Sequence, residues 1–326
     1  MTHALRAACL LPICFVLALY QPVAAAAECS ASSLTTLRNC VANIANYSGI
    51  VLTQDVTCTT DVDCCGSGNS PLIDLVSTTG KTVRGDGTYR VLKRSAGQRN
   101  CSLIRAGTST TIRDLVIDED VNDPPCSPGD GCPSTVMVNG RHNVTLDNVR
   151  IFNGKAYVVY VWGSDRFTFR NGEITSAGII GLYVGHNSYA PSDHLTIENS
   201  TFRWARTNAI AIEGVRNSAW DASWISGNQI YQNHLHGLWT CEGKVCPGGQ
   251  IYLARGEGLV LYNNNIWGGR CDNCAGGISG IEFGDPYGGV TVNNVTVSTN
   301  RIHDNTGAGV PRRPNLSRAR RGSGAL

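Results

Sequence analysis

Methionine and phenylalanine are scarce in this chain, with two and six among 326 residues, while glycine reaches 37. A helical bundle needs those large side chains for its seams, so the balance favours a turn-rich all-β chain. Charge is sparse too, at 16% of residues and a net formal charge of +2. That excludes the overall basic field by which a nucleic-acid binder is recognised. The small excess is also concentrated: Arg6 lies near the start, and Arg312, Arg313, Arg318, Arg320 and Arg321 crowd the end. The stretch between them is weakly acidic.

Long apolar runs are missing except at the start, so no later segment is expected to span a membrane. "MTHALRAACLLPICFVLALYQPVAAAAEC" has a basic start, an apolar run over 7–20 and small residues before Glu28. The run is short for a bilayer span and interrupted by Pro12, so residues 1–27 read as a secretory signal rather than an anchor. The expected location is extracellular or the cell wall. Two of the fourteen cysteines, Cys9 and Cys14, leave with the signal. An even count in a secreted chain reads as disulfides. Cys29/Cys40, Cys126/Cys132, Cys241/Cys246 and Cys271/Cys274 are close enough to pair locally, and Cys58, Cys64, Cys65 and Cys101 stay unassigned. "CEGKVC" with "CDNC" could instead form a four-thiolate zinc site, a reading that an oxidising compartment disfavours. Residues 28–69 are expected to form a Cys-rich N-terminal cap region.

Short alternating strands recur along the chain. "TIRDLVID" (111–118), "NVTLDNVRIFN" (143–153), "RFTFRNGEITSAG" (166–178) and "HLTIENSTFRWAR" (194–206) share one layout, as do three later stretches. Taking Ile117, Ile151, Ile174, Phe202, Ile230, Ile266 and Ile302 as equivalent, the spacings are 34, 23, 28, 28, 36 and 36 residues. A hairpin would not recur at such intervals. Units this short cannot bury an inner face alone, so they stack as coils with a shared core. The expected fold is all-β: a single-stranded parallel β-helix, or solenoid, over 70–309.

A second strand per coil follows the pattern apolar-x-apolar-x-Gly: "VMVNG", "VYVWG", "LYVGH", "IAIEG", "LWTCE" and "IEFGD". Alternate positions point outward and stack into rows. One expected row is Met137, Tyr160, Tyr183, Ala211, Trp239 and Glu282; its neighbour is Asn139, Trp162, Gly185, Glu213, Cys241 and Gly284. Tyr160, Trp162 and Trp239, with Asn139 and Glu282 beside them, could offer a sugar polymer a stacking surface, unless insertions cover them as a satellite core. Groups that can move or neutralise protons share that edge: Glu213, His186, Arg141, Arg166 and Tyr183 are the catalytic candidates.

Glycoside hydrolysis wants two carboxylates flanking the bond, and Glu213 with Glu282 is the available pair. β-Elimination or C5 epimerisation of a uronate instead needs a cation for the carboxylate and a base for the α-proton. Arg141, Arg166, His186 or Tyr183 can supply those roles. The acidic stretch 114–132 offers Asp118, Asp120 and Asp123 to calcium, or is a solvated loop; it lacks EF-hand spacing. Sequons stand at Asn46, Asn100, Asn143, Asn199, Asn294 and Asn315, with Asn199 expected to stay unmodified because it heads a coil turn.

"KTVRGDGTYRVLKRS" (81–95), "TTIRDLVIDED" (110–120) and "TVMVNGRHNVTLDNVRIFN" (135–153) resemble stretches of pectate lyases. On these the chain resembles the pectin-lyase-like superfamily of right-handed parallel β-helices. The resemblance implies that fold and an extracellular polysaccharide as partner. It implies no catalytic residue: the Asp-His of pectate lyases is Asp147-Asn148 here, their arginine motif has only a near miss in "RRPNLSR" (312–318), and polygalacturonase signatures are absent. The expected function is a lyase or related proton-abstraction enzyme on an acidic polysaccharide. The alternatives are a non-catalytic carbohydrate-binding or cell-envelope protein, and a paired-carboxylate hydrolase. A monomer is expected, with no nucleic acid and no membrane anchor. Residues 310–326 form a basic tail that breaks the coil pattern and is expected to be disordered or truncated.

Overall fold

A computed structural model describes residues 26–65, 70–95, 101–119, 133–154, 156–185, 192–216, 222–235, 240–241, 244–245, 249–254, 256–271, 278–284, 292–305 and 320–321. Among these the chain is wound as a parallel β-helix with three strands per coil. In one coil they are Thr168–Arg170, Glu173–Thr175 and Ile180–Gly185. The first two of each coil join an 18-stranded sheet and the third joins an 8-stranded sheet. In two coils the first two strands fuse, as Thr111–Asp118 and Thr145–Phe152.

The anchors chosen from sequence fall in one unbroken register. Ile117 pairs with Ile151, and the line continues through Ile174, Phe202, Ile230 and Ile266 to Ile302. Each points inward, and together with the inward residues of the other strands they form one long core. Local chemistry sets the bends between strands. Asn143, Asn148 and Asn153 all have positive φ, as do Arg166, Asn171 and Ser176, and then His194, Asn199 and Trp204. A left-handed residue every five positions turns the chain at each corner, and Asn tolerates that conformation best among non-Gly residues.

Inside one bend, buried polar side chains replace missing backbone partners. The Ser200 N–H donates to Asn228 Oδ1, the Asn228 N–H to Asn264 Oδ1, and the Asn264 N–H to Asn300 Oδ1, at 2.9–3.1 Å. The ladder lets a sharp bend be buried without orphaned amides.

The parallel stack extends into the 28–69 segment, where Cys29–Ala31 pairs with Gly49–Leu52 and that strand pairs with Thr82–Gly85. A helix, Leu34–Ala42, begins at a capping box between Ser33 and Thr36 and buries Leu37 and Cys40 against these first strands. Disulfides join Cys29–Cys40, as expected, and Cys58–Cys64 and Cys65–Cys101. Cys126, Cys132, Cys246 and Cys274 lie outside the described residues, as does nearly all of the signal segment. No described helix is long and apolar enough to cross a membrane.

One strand assignment needs correcting. The 238–242 stretch is not the coil strand next to Ile210–Ile212; Thr240–Cys241 instead pairs antiparallel with Lys244–Val245. The coil strand is Gly249–Leu253, which pairs with Ile210–Ile212 on one side and Ser279–Phe283 on the other.

Candidate functional site

The outward face of the 8-stranded sheet carries the candidate site. Its central row runs Asp74, Arg105, Met137, Tyr160, Tyr183, Ala211, Tyr252 and Glu282, one residue per coil. Tyr252 therefore replaces Trp239, which lies outside the described residues. The neighbouring row places Asn139, Trp162 and Gly185 side by side. Glu213 follows on the next coil, where its N–H donates to Val184 O at 2.8 Å. The next two coils add Ala254, not Cys241, and Gly284, whose N–H groups donate to Ile212 O and Leu253 O.

The aromatic rings stack mainly on each other. Tyr183 stacks on Tyr157, at 4.6 Å between centroids, and on Tyr160, at 5.4 Å, and those two rings are 5.7 Å apart. Tyr160 in turn stacks on Trp162 at 5.8 Å. Gly185 makes this possible, because a Cβ there would sit 2.3 Å from the Trp162 indole and 2.8 Å from the Tyr183 ring. The result divides the two expectations for these aromatics. Tyr183, Ala211 and Tyr252 are buried in a satellite apolar cluster, whereas Tyr157, Tyr160 and Trp162 are only partly covered. Tyr157 was not singled out from sequence. Simple alternation places it inward with Val159, but Val158 and Val159 are both buried, so the alternation breaks between them.

Glu213 sits at the edge of this cluster, half-buried, and accepts a hydrogen bond from the Tyr183 hydroxyl at 2.7 Å. Burial, then the Glu213 charge and this hydrogen bond, push the Tyr183 phenol far above its ordinary range. Burial, with the charges of Tyr157 and Glu213, pushes Tyr160 up to about 12. Both phenols stay protonated at physiological pH, so they are proton donors rather than bases. Glu282, also buried, stands two coils beyond Glu213. At about 4.8 Å per strand the two backbones are roughly 10 Å apart along the axis. Glu213 also leans the other way, toward Tyr183. Retaining hydrolases hold their carboxylates about 5 Å apart and inverting ones about 6.5–9.5 Å, so a two-coil offset departs from the retaining arrangement.

Charge gathers at the N-terminal end of the face. Arg105 and Asp74 form a bidentate ion pair. Burial would raise the Asp74 carboxyl, but the Arg105 hydrogen bond, the Val76 N–H and the charges of Arg105 and Arg141 leave it below its usual range. Arg141 follows the Val136–Asn139 strand; its N–H donates to Ser164 Oγ at 3.3 Å, and its buried Nε has no hydrogen-bond partner. Arg166 is exposed in a corner beyond the strand, 3.6 Å from Asp165, which also binds His142. Asn139 is exposed beside Trp162. His186 lies outside the described residues. Of the calcium candidates, Asp120 and Asp123 do too. Asp118 faces outward on the other sheet, 3.7 Å from Lys93 and bound by Asn153 Nδ2 at 2.8 Å. Among the described residues no cluster of His, Cys, Asp or Glu has the makings of a metal site.

Residues 157–311 match the family model "Right handed beta helix region". No curated protein matches the chain by sequence. Among solved structures, the chain is similar to the catalytic unit of a GH87 α-1,3-glucanase from Streptomyces thermodiastaticus, at 15% identity and TM-score 0.46, covering 85% of this chain and 59% of that one. It is similar to an alginate lyase from Paenibacillus, at 14% identity and TM-score 0.40, covering 88% and 98%. It is also similar to the A-module of a mannuronan C-5 epimerase from Azotobacter vinelandii, at 13% identity and TM-score 0.36, covering 92% and 98%. The chain spans 56% and 45% of the length of the first two solved structures that it matches.

Proposed function

We propose, for a chain that is a right-handed parallel β-helix, that the face around Trp162, Tyr160 and Glu213 binds an acidic extracellular polysaccharide and acts on it by proton abstraction. The observation that carries this reading is the Tyr183–Glu213 hydrogen bond at the edge of a stacked aromatic cluster. It sets a carboxylate that reaches the surface beside a phenol held protonated. In elimination or epimerisation a base takes the proton α to the uronate carboxylate, and an acid returns one to the leaving oxygen or to the opposite face of the sugar. Glu213 fits the base and a tyrosine the acid. Arg141, three coils before Glu213 and so roughly 14 Å away along the axis, has a buried unpartnered Nε and fits a carboxylate on a neighbouring uronate of the same polymer. The two-coil offset of Glu213 from Glu282 disfavours a retaining hydrolase.

A second reading has its own support. Tyr183 is 9% exposed, so the phenol is largely shut away from a polymer on the surface, as a non-catalytic binding face would allow. The two are separated by incubating the protein with a panel of uronate polymers and following unsaturated products, new reducing ends and C5 inversion. Product that disappears in Glu213→Gln supports the enzyme; retained polymer without any product refutes it and leaves the binder. Trp162→Ala should weaken retention in both cases, and unchanged retention would move the ligand off this face.

A further inference from the structure

The outer face of the 18-stranded sheet changes character along the helix axis. In the first strand of each coil, one outward row reads Thr82, Thr111, Thr145, Thr168 and Thr196, and then Trp224, Val260 and Thr296. The next row reads Arg84, Arg113, Asp147, Arg170 and Glu198, and then Ser226, Tyr262 and Ser298. The early coils thus present β-branched hydroxyls and charges, several of them ion-paired, such as Arg170 with Asp147 and Arg203 with Glu173. Over the next three coils these positions carry no charge, and one aromatic ring enters each row, at Trp224 and at Tyr262.

Trp224 is 45% exposed and Tyr262 is 44% exposed. A solvated strand face has no use for such rings: Thr serves that position in five consecutive coils. The two are diagonal neighbours, one strand and two residues apart, or roughly 8 Å from strand geometry. Beside them the second strands carry Tyr231, Trp267 and His303, stacked at 4.3 and 6.0 Å. This stack turns its ring faces on each other, while Trp224 and Tyr262 are exposed. Amides and hydroxyls fill the spaces between: Gln229, Asn265, Ser226 and Ser298. Among the described residues of this sheet, charge returns beyond the patch, at Arg301 and at Arg320 and Arg321, which pair with Thr296 and Val297.

We propose that this patch is a second binding surface, for a neutral polysaccharide chain, distinct from the Trp162–Glu213 face. Exposed rings meet the C–H faces of pyranoses, and amides and hydroxyls meet their hydroxyls. An acidic chain would be favoured by fixed cations, which the early coils have and these lack. A protein partner would be favoured by a broad contiguous apolar centre, whereas here Trp224, Val260 and Tyr262 are closely flanked by Thr196, Thr296, Ser226 and Ser298. The inference does not depend on whether the other face is catalytic.

The test is affinity electrophoresis through gels containing xylan, galactomannan or mixed-linkage glucan, with alginate and polygalacturonate gels alongside. The variants are Trp224→Thr with Tyr262→Ser, which restore the residues found on neighbouring coils, and Trp162→Ala. Retardation by a neutral polymer is expected, about tenfold weaker in the double variant, a loss of roughly 1.4 kcal/mol, and unchanged in Trp162→Ala. A wild-type protein that no neutral polymer retards overturns the proposal. So does a double variant retarded like wild type, or equal loss in Trp162→Ala. A dimer in light scattering that the double variant dissolves would assign the patch to a second copy and also overturn it. If the double variant loses its melting transition, Trp224→Thr alone carries the test. A protein inert toward uronates but held by neutral polymer supports this surface and refutes only the reading of the other face.

Discussion

Removing one hydroxyl should make the link between the aromatic cluster and Glu213 measurable. In Tyr183→Phe the ring and its stacking on Tyr157 and Tyr160 remain, and only the 2.7 Å bond to Glu213 is lost. A hydrogen bond to a charged group is worth about 1.5–3 kcal/mol. Glu213 is half-buried and can partly rehydrate, so about 2 kcal/mol is expected near pH 8 by urea unfolding. The phenol adds a pH signature. Its folded pKa lies far above the unfolded value near 10, so its contribution is complete below pH 10 and declines above it. At pH 11 the unfolded wild type gains about 1.4 kcal/mol from ionising this residue, and the variant gains nothing. The gap between the two should therefore shrink from about 2 to about 0.6 kcal/mol as pH rises from 8 to 11. A gap that stays constant across that range, or is absent at pH 8, would refute the burial and bonding assigned to Tyr183.

Three further outcomes follow from particular contacts. Gly185→Ala places a Cβ 2.3 Å from the Trp162 indole; it should cost about 1–3 kcal/mol and weaken polymer retention, read by urea unfolding and affinity electrophoresis. Arg94 and Glu119 are both fully buried and paired at 2.5 Å, with Arg94 Nη1 also donating to Cys101 O. Glu119→Gln should cost about 3–5 kcal/mol, whereas Arg94→Met with Glu119→Leu should be near neutral or stabilising; equal losses in both would contradict a desolvated pair. The Cys65–Cys101 bridge closes 36 residues, so Cys65→Ser with Cys101→Ser should lower stability by about 4 kcal/mol; a melting temperature unchanged from wild type would show that the bridge adds nothing.

The inward positions were legible because burial acts on every coil alike. A residue such as Ile174 must be apolar to pack between Ile151 and Phe202, so the anchors line up whatever loops intervene. The outward rows were legible only where coils follow without interruption: Tyr160, Tyr183 and Ala211 fell where alternation put them. Across the insertion after Tyr231 the rule picked out "LWTCE", whereas the coil strand is Gly249–Leu253. Which stretch stacks on Ile210–Ile212 is decided by pairing with a distant strand. The same limit hid Trp224 and Tyr262, whose exposure departs from the pattern that five threonines set.

By itself the sequence determined the coil. Its alternation specifies which faces are buried, because hydrophobicity is repeated at each level. Tertiary structure alone decided what each outward residue meets: that Tyr183 donates to Glu213, and that Trp162 lies against Gly185. Those contacts join residues some thirty positions apart through strand register, and register is a property of the stacked coils rather than of any one of them.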